Sequence, residues 1–150
     1  MEQTCHHPPI SHMLVEGPEA RYRVSGYSEC VVKFSVTSIN VTLLGHKQVE
    51  FQDGQTIRCN HPADSFYNLA VGTLYNWLYG KIEFHDKKNK IYGFYEIGKV
   101  KNRRQEYFEG AIYSNDRKVC DVFGNYAGYM DFDDKRYFDV REVDDIWYPY

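Results

Sequence analysis

Unbroken alternation of apolar and polar side chains constrains this chain more than any other feature. In Ser38-Ile39-Asn40-Val41-Thr42-Leu43, the residues Ile39, Val41 and Leu43 fall on one face of an extended segment, the period of two that marks a half-buried β-strand. The rhythm precedes that run, where Val32, Phe34 and Val36 alternate with Lys33 and Ser35, and follows it, where Val49 and Phe51 alternate with Gln48 and Glu50. Asp53-Gly54 then separates it from Gln55–Cys59. An Asp-Gly pair between strand-like runs predicts an antiparallel hairpin with a type I′ turn, since both turn residues need positive φ.

Asn68–Phe84 is rich in Leu, Tyr and Trp but interrupted by Gly72 and Gly80. A helix there would carry two glycines, each about 1 kcal/mol worse than alanine, so the segment predicts two strands with bends or bulges. The polar run His85–Lys90 predicts a turn, and Ile91–Ile97 follows as a strand with aromatic residues on both faces. Phe108–Tyr113 and Lys118–Phe123 flank Ser114-Asn115-Asp116-Arg117, a second hairpin. No segment before residue 140 has a helical period. The expected fold is all-β, an antiparallel meander of roughly eight to ten short strands with little helix, spaced as in sandwiches and barrels. At 150 residues with no internal repeat or linker, residues 1–150 read as a single domain.

Function classes fall away quickly. The formal charge of -3 argues against a nucleic-acid partner, which is bound through net positive charge. No apolar run reaches the roughly 20 residues of a membrane helix, and the N-terminus is not a signal peptide, which makes a cytoplasmic setting the default. Cys5, Cys30, Cys59 and Cys120 have no close pair and read as free thiols, and Asn40-Val41-Thr42 is discounted as a glycosylation acceptor. Asp131, Asp133, Asp139 and Glu142 partly fit a calcium loop. Arg136 stands at its glycine position, however, and the acidic residues of 131–145 read better as solvating a tail or pairing with Lys135, Arg136 and Arg141. Lys99, Lys101, Arg103 and Arg104 read as a solvated loop that could touch anionic headgroups. No nucleophile, base and orienting residue group together, so no catalytic residue, enzyme activity or cofactor is expected.

Chemistry concentrates in Glu2-Gln3-Thr4-Cys5-His6-His7-Pro8-Pro9. In a regular strand His6 and His7 would point to opposite faces. The prolines lack backbone donors and bias His7 toward an extended conformation, which predicts a stiff segment outside the sheet ladder. A turn there could bring both imidazoles onto one anion, and imidazole donates hydrogen bonds when neutral and is a cation below about pH 6.5. Three readings of the residues stay open: a structural histidine pair, a metal site using His6, His7 and Cys5 or His12, and phosphate capture. His46, His61 and His85 read as isolated surface or strand histidines.

The segment resembles the signature of the oxysterol-binding protein-related family, Glu-Gln-Val-Ser-His-His-Pro-Pro. Glu2, Gln3, His6, His7, Pro8 and Pro9 match, while Thr4 and Cys5 replace Val and Ser. The likeness continues through Pro9-Ile10-Ser11, Val15-Glu16, Phe34 to Ile39 and Gly45. It extends to Asn68-Leu69 with Gly72, Gly80-Lys81-Ile82, Gly110-Ala111-Ile112 and Gly124-Asn125-Tyr126, where Tyr126 stands in place of an expected Trp. The resemblance implies a partial antiparallel β-barrel around a lipid tunnel, with the phosphate of a phosphoinositide such as phosphatidylinositol 4-phosphate held by His6 and His7, and no metal. Exposing about 16 methylenes would cost about 13 kcal/mol at ~0.8 kcal/mol each, so a carrier must enclose the tail.

In the family, a lid and first strands precede the signature and further basic ligands follow the barrel. The expectation is therefore a partial lipid-binding domain lacking the lid and the C-terminal region. Its implied role is lipid binding and transfer, exchanging a phosphoinositide for a sterol or another phospholipid during transient peripheral contact with membranes or at membrane contact sites. The rival is a degenerate barrel that transfers nothing and acts as a membrane-tethering or protein-interaction module.

Overall fold

A computed structural model describes residues 1–142. Twelve strands form one antiparallel sheet that curls into part of a barrel. They are β1 Glu2–His6, β2 Pro9–Glu16, β3 Tyr22–Phe34, β4 Ser38–Phe51, β5 Thr56–Cys59 and β6 Ala63–Tyr67, followed by β7 Tyr75–Asp86, β8 Ile91–Ile97, β9 Tyr107–Ser114, β10 Arg117–Asn125, β11 Tyr129–Phe132 and β12 Lys135–Asp139. The only helical turns among the described residues are short 3₁₀ segments at Pro18–Ala20 and Val140–Glu142. The all-β expectation holds, with more strands than the alternation predicts and several much longer.

The longest hairpin explains the difference. β3 and β4 pair without a break from Tyr22↔Phe51 to Phe34↔Ile39. Alternation through Val36 carries past the end of β3 into the connecting turn, where Ser35 Oγ accepts a hydrogen bond from Ser38 N at 3.1 Å and Val36 is 92% exposed. The runs around Leu43 and Val49, which alternation presents as successive elements, are one strand bent at Gly45 (φ +120°). A Cβ at Gly45 would sit 2.3 Å from the Tyr27 carbonyl oxygen, so only glycine lets β3 approach there. Residues 38–42 of β4 pair with β6, and residues 47–50 pair with β5. β7 mirrors this arrangement: Tyr75–Tyr79 pairs with β6, Phe84 and His85 pair with β5, and Gly80 (φ +104°) lies between. Two bent strands thus enclose two short ones placed end to end.

The segment expected to hold two strands, Asn68–Phe84, forms one. Asn68 has φ +62°, and residues 68–74 are a loop leading into the single long β7. Turn chemistry also differs in detail. At Asp53-Gly54 only Gly54 has positive φ (+77°), and Gly54 N donates to Phe51 O at 2.9 Å. That is a three-residue loop with a glycine bulge rather than type I′. The type I′ pattern occurs instead at Asn115 (φ +48°) and Asp116 (φ +63°), between the paired Ser114 and Arg117.

Ile82, Ile97, Phe108 and Val122, from β7 to β10, form the buried core, with Leu78, Phe84, Tyr95, Ile112, Met130 and Phe132 packed around it. All lie on one face, because Ile97 is opposite Phe108, Phe108 opposite Gly124, and Gly124 opposite Met130. Asp86, 3% exposed, joins two turns near this core. Its Oδ2 accepts from Gln55 Nε2 and Asn89 Nδ2, each at 2.7 Å, and its Oδ1 from Asn89 N at 3.1 Å. Hydrogen bonds from Asn89, and secondarily Gln55, hold its carboxyl below the usual range.

Candidate functional site

The signature segment is a hairpin, not the stiff non-ladder stretch its prolines suggest. His6 pairs with Pro9, Cys5 with Ile10 and Glu2 with His12, with a register shift between Gln3 and Cys5 that bulges Thr4. His7 and Pro8, joined by a cis peptide bond, form the two-residue turn. Pro9, as the first residue of β2, loses no ladder donor that the strand interior would need. Strand β1 ends at His6, so His7 escapes the rule that places neighbours on opposite faces. The two rings meet edge to face with centroids 4.6 Å apart, and both residues are exposed. Gln3 Nε2 lies 3.2 Å from His6 Nδ1 and 3.1 Å from the Cys5 carbonyl. An amide donor at Nδ1 leaves the neutral ring's proton on Nε2, free to donate outward. Thr4 Oγ1 reaches the Ile10 carbonyl only at 3.5 Å, and Cys5 is a half-buried free thiol.

A cavity of about 330 Å³ opens inside the curled sheet, lined by Ile57, Phe84, Tyr95, Ile112, Val122 and Phe132, with Gln55 and Asp86 among its polar neighbours. Its volume is at the lower end of the ~300–1,000 Å³ typical of small-molecule sites. Register links it to the histidine turn. Ile57 lies opposite Val49, Val49 opposite Val24, and Val24 opposite Val15, and two-residue steps back along β2 bring the same face to Pro9, the partner of His6. His6, with the His7 ring against it, lies on the sheet face that lines the apolar cavity. Sequence alternation names the residues of that face but cannot say that it curls inward, and so no aromatic could be singled out as cavity-lining beforehand.

Residues 1–145 match the family model described as "Oxysterol-binding protein". The chain belongs to the oxysterol-binding protein family. Among curated relatives it is 25% identical over 121 residues to "Oxysterol-binding protein 9" of Dictyostelium discoideum, a match covering 81% of this chain and 27% of that protein. Solved structures of similar fold include the Osh3 ORD in complex with PI(4)P from Saccharomyces cerevisiae, at TM-score 0.77 and 20% identity over 93% of this chain and 39% of that one. The Osh1 ORD domain in complex with cholesterol gives 0.76 and 19%, over 95% of this chain and 34% of that one. The chain thus spans between about a quarter and two fifths of the relatives it matches.

The other charged features of this family member resolve into local pairs. In the basic loop, Lys99 Nζ is 2.6 Å from Glu96 Oε1, and Arg103 lies 5.3 Å over the Tyr107 ring. The acidic residues near 131–142 form the β11–β12 hairpin rather than a calcium loop: Asp131 pairs with Arg136, and Asp139 pairs with Arg136 at 2.8 Å and Arg141 at 2.6 Å. Those arginines hold the Asp139 carboxyl far below the usual carboxylate range. Asp144 and Asp145 lie outside the described residues. No helix among the described residues is long and apolar enough to cross a membrane.

Of the histidines that read as isolated, His46 and His61 meet on Tyr27 together with His12. His12 stacks on Tyr27 (5.8 Å), His46 meets the same ring edge-on (5.1 Å), and His61 Nε2 lies 2.9 Å from the Tyr27 carbonyl. Desolvation, then Arg58 and His61, push the His46 imidazole below its ordinary value. The folded protein therefore binds this proton less readily than the unfolded chain, and stability falls as pH drops through about 6.5. We expect the urea midpoint to fall between pH 7.5 and 5.5, and His46→Gln to flatten that slope. An unchanged slope in the variant would remove His46 as the cause.

Proposed function

We propose that this chain is the central part of a lipid-binding domain and encloses one lipid, with the phosphate of its headgroup on His6 and His7 and its apolar portion in the cavity. One observation carries the reading: His6, with the His7 ring against it, lies on the sheet face that lines an apolar cavity, an arrangement suited to an amphipathic ligand. Phosphate accepts from both rings, and phosphatidylinositol 4-phosphate presents a phosphomonoester at the required end. The similar Osh3 and Osh1 structures hold PI(4)P, cholesterol and ergosterol, which supports extending the reading to transfer. If one cavity accepts a phosphoinositide or a sterol but not both, loading one at each of two membranes couples their movements. No bond is made or broken. The protein would act in the cytoplasm and touch membranes only while loading and unloading.

Ile112→Trp tests the cavity directly. The larger side chain fills space beside Tyr95 and Val122, so uptake of both fluorescent sterol and phosphoinositide from vesicles should fall at least about tenfold, as with loss of ~1.4 kcal/mol or more of binding. Near-UV circular dichroism should stay native. Undiminished uptake by a folded variant would place the lipid elsewhere.

A further inference from the structure

Five strands place basic and aromatic side chains together on the face opposite the cavity. His12, Tyr27 and His46 form one cross-strand row, and Gln48, Arg58 and His85 form the next. This face is not the one that carries the signature pair, because Pro9, the partner of His6, is three residues from His12 and so points the other way. Arg58 Nη2 lies 2.9 Å from His46 Nδ1. A guanidinium only donates, so Nδ1 accepts and the neutral His46 ring keeps its proton on Nε2, available to a further acceptor. Whereas Arg21, Arg23, Arg136 and Arg141 each contact a carboxylate, Arg58 has no salt bridge among the described residues. Glu50, its diagonal neighbour on β4, is engaged by Gln48 Nε2 at 2.8 Å, and Glu29 lies two cross-strand rows away.

We propose that Arg58 and His46 form a second anion site on the outer wall of the barrel, taking a phosphate group. Arg58 supplies a planar fork with N–H donors left over after the bond to His46, the geometry that matches phosphate oxygens two at a time. His46 adds Nε2–H beside it, and its ring meets Tyr27 edge-on at 5.1 Å. Glu50 is engaged by Gln48, and Glu83, beside His85 on β7, by Lys81 and Tyr92, so no carboxylate among the described residues pairs with Arg58, and a phosphate would supply that negative charge. The group can come from a phospholipid headgroup or from a soluble phosphate ester, which share this chemistry.

The test is a titration of the protein with inorganic phosphate at pH 7, following the histidine ring resonances by NMR. Saturable shifts are expected at His46. Arg58→Gln should weaken them about tenfold, the equivalent of ~1.4 kcal/mol, and Arg58→Lys less. Both substitutions are at an exposed position, and near-UV circular dichroism verifies the fold. His6→Ala with His7→Ala should leave the His46 response intact, which separates this site from the signature pair. Sedimentation with phosphatidic acid vesicles but not phosphatidylcholine vesicles, lost in Arg58→Gln, identifies a lipid headgroup as the source. Phosphate shifts without vesicle retention identify a soluble ester. Phosphate shifts confined to His6 and His7, or identical responses in wild type and Arg58→Gln, overturn the proposal.

Discussion

Replacing His6 and His7 together by alanine is expected to reduce phosphoinositide extraction from vesicles by roughly 10²–10⁴-fold, because each hydrogen bond to a charged phosphate contributes about 1.5–3 kcal/mol. The rings converge at 4.6 Å in a solvent-exposed turn, so their removal deletes ligand contacts without opening the core. Sterol uptake, which needs only the cavity, should change less than about threefold. That contrast separates loss of a headgroup contact from loss of structure. Gln3→Leu should give a smaller defect in the same direction, since Gln3 orients His6 through Nδ1 without touching the phosphate. Equal loss of sterol and phosphoinositide uptake in the double variant would show that the histidines support the barrel rather than the headgroup.

Phe108→Ala should destabilise the protein by about 3–5 kcal/mol, the range for truncating a buried Phe. Phe108 is 2% exposed, lies opposite Ile97, and packs its ring 4.6 Å from that of Tyr95. The hydrophobic residues buried to this degree among the described ones are Ile82, Ile97, Phe108, Ala111 and Val122, a small set for such a sheet. Against a typical domain stability of about 5–15 kcal/mol, the loss should lower the urea midpoint by a fifth or more, and abolish folding if this small core leaves the protein at the low end of that range. Val119→Ala, at a position 60% exposed on β10, should cost less than about 0.5 kcal/mol. A Phe108→Ala protein as stable as wild type would relocate the core.

How far the sequence foretold this molecule depends on the range of the interaction involved. Alternation in Ser38–Leu43 marks β4 because it reports local side-chain direction, and the all-β class follows from the same signal. Gly80 signals a bend, as expected, but neither that bend nor the one at Gly45 reveals its purpose in sequence, since they let β4 and β7 flank the distant β5 and β6. Turn type at Asp53-Gly54 departs from the dipeptide expectation for a related reason: the Phe51–Gly54 and Phe51–Gln55 backbone bonds select a three-residue loop, and the dipeptide alone does not reveal them.

The candidate site divides the same way. The ordered string from Glu2 to Pro9 marks the signature, but its two prolines predict a segment outside the sheet ladder, where the chain instead pairs as a hairpin. They did not show that a turn closing His6 onto Pro9 would aim both rings together. The cavity residues were invisible as a set because Ile91–Ile97 carries aromatics on both faces, Tyr95 toward the core and Tyr92 and Phe94 stacked on the other side with Tyr113. Only the closure of the sheet decides which face is inside. Similarly, His12 and His46 are far apart in the chain and meet on Tyr27 through strand register, and His61 reaches the Tyr27 carbonyl from the β5–β6 loop.

Native mass spectrometry of the protein purified without detergent from a eukaryotic host tests the central claim most directly. A lipid-enclosing barrel should show, beside the 17.7 kDa chain, a 1:1 adduct with the mass of a phosphoinositide or a sterol, with the phosphoinositide adduct depleted in His6→Ala/His7→Ala and both depleted in Ile112→Trp. A folded protein carrying no lipid, and acquiring none from vesicles that contain both, would contradict it.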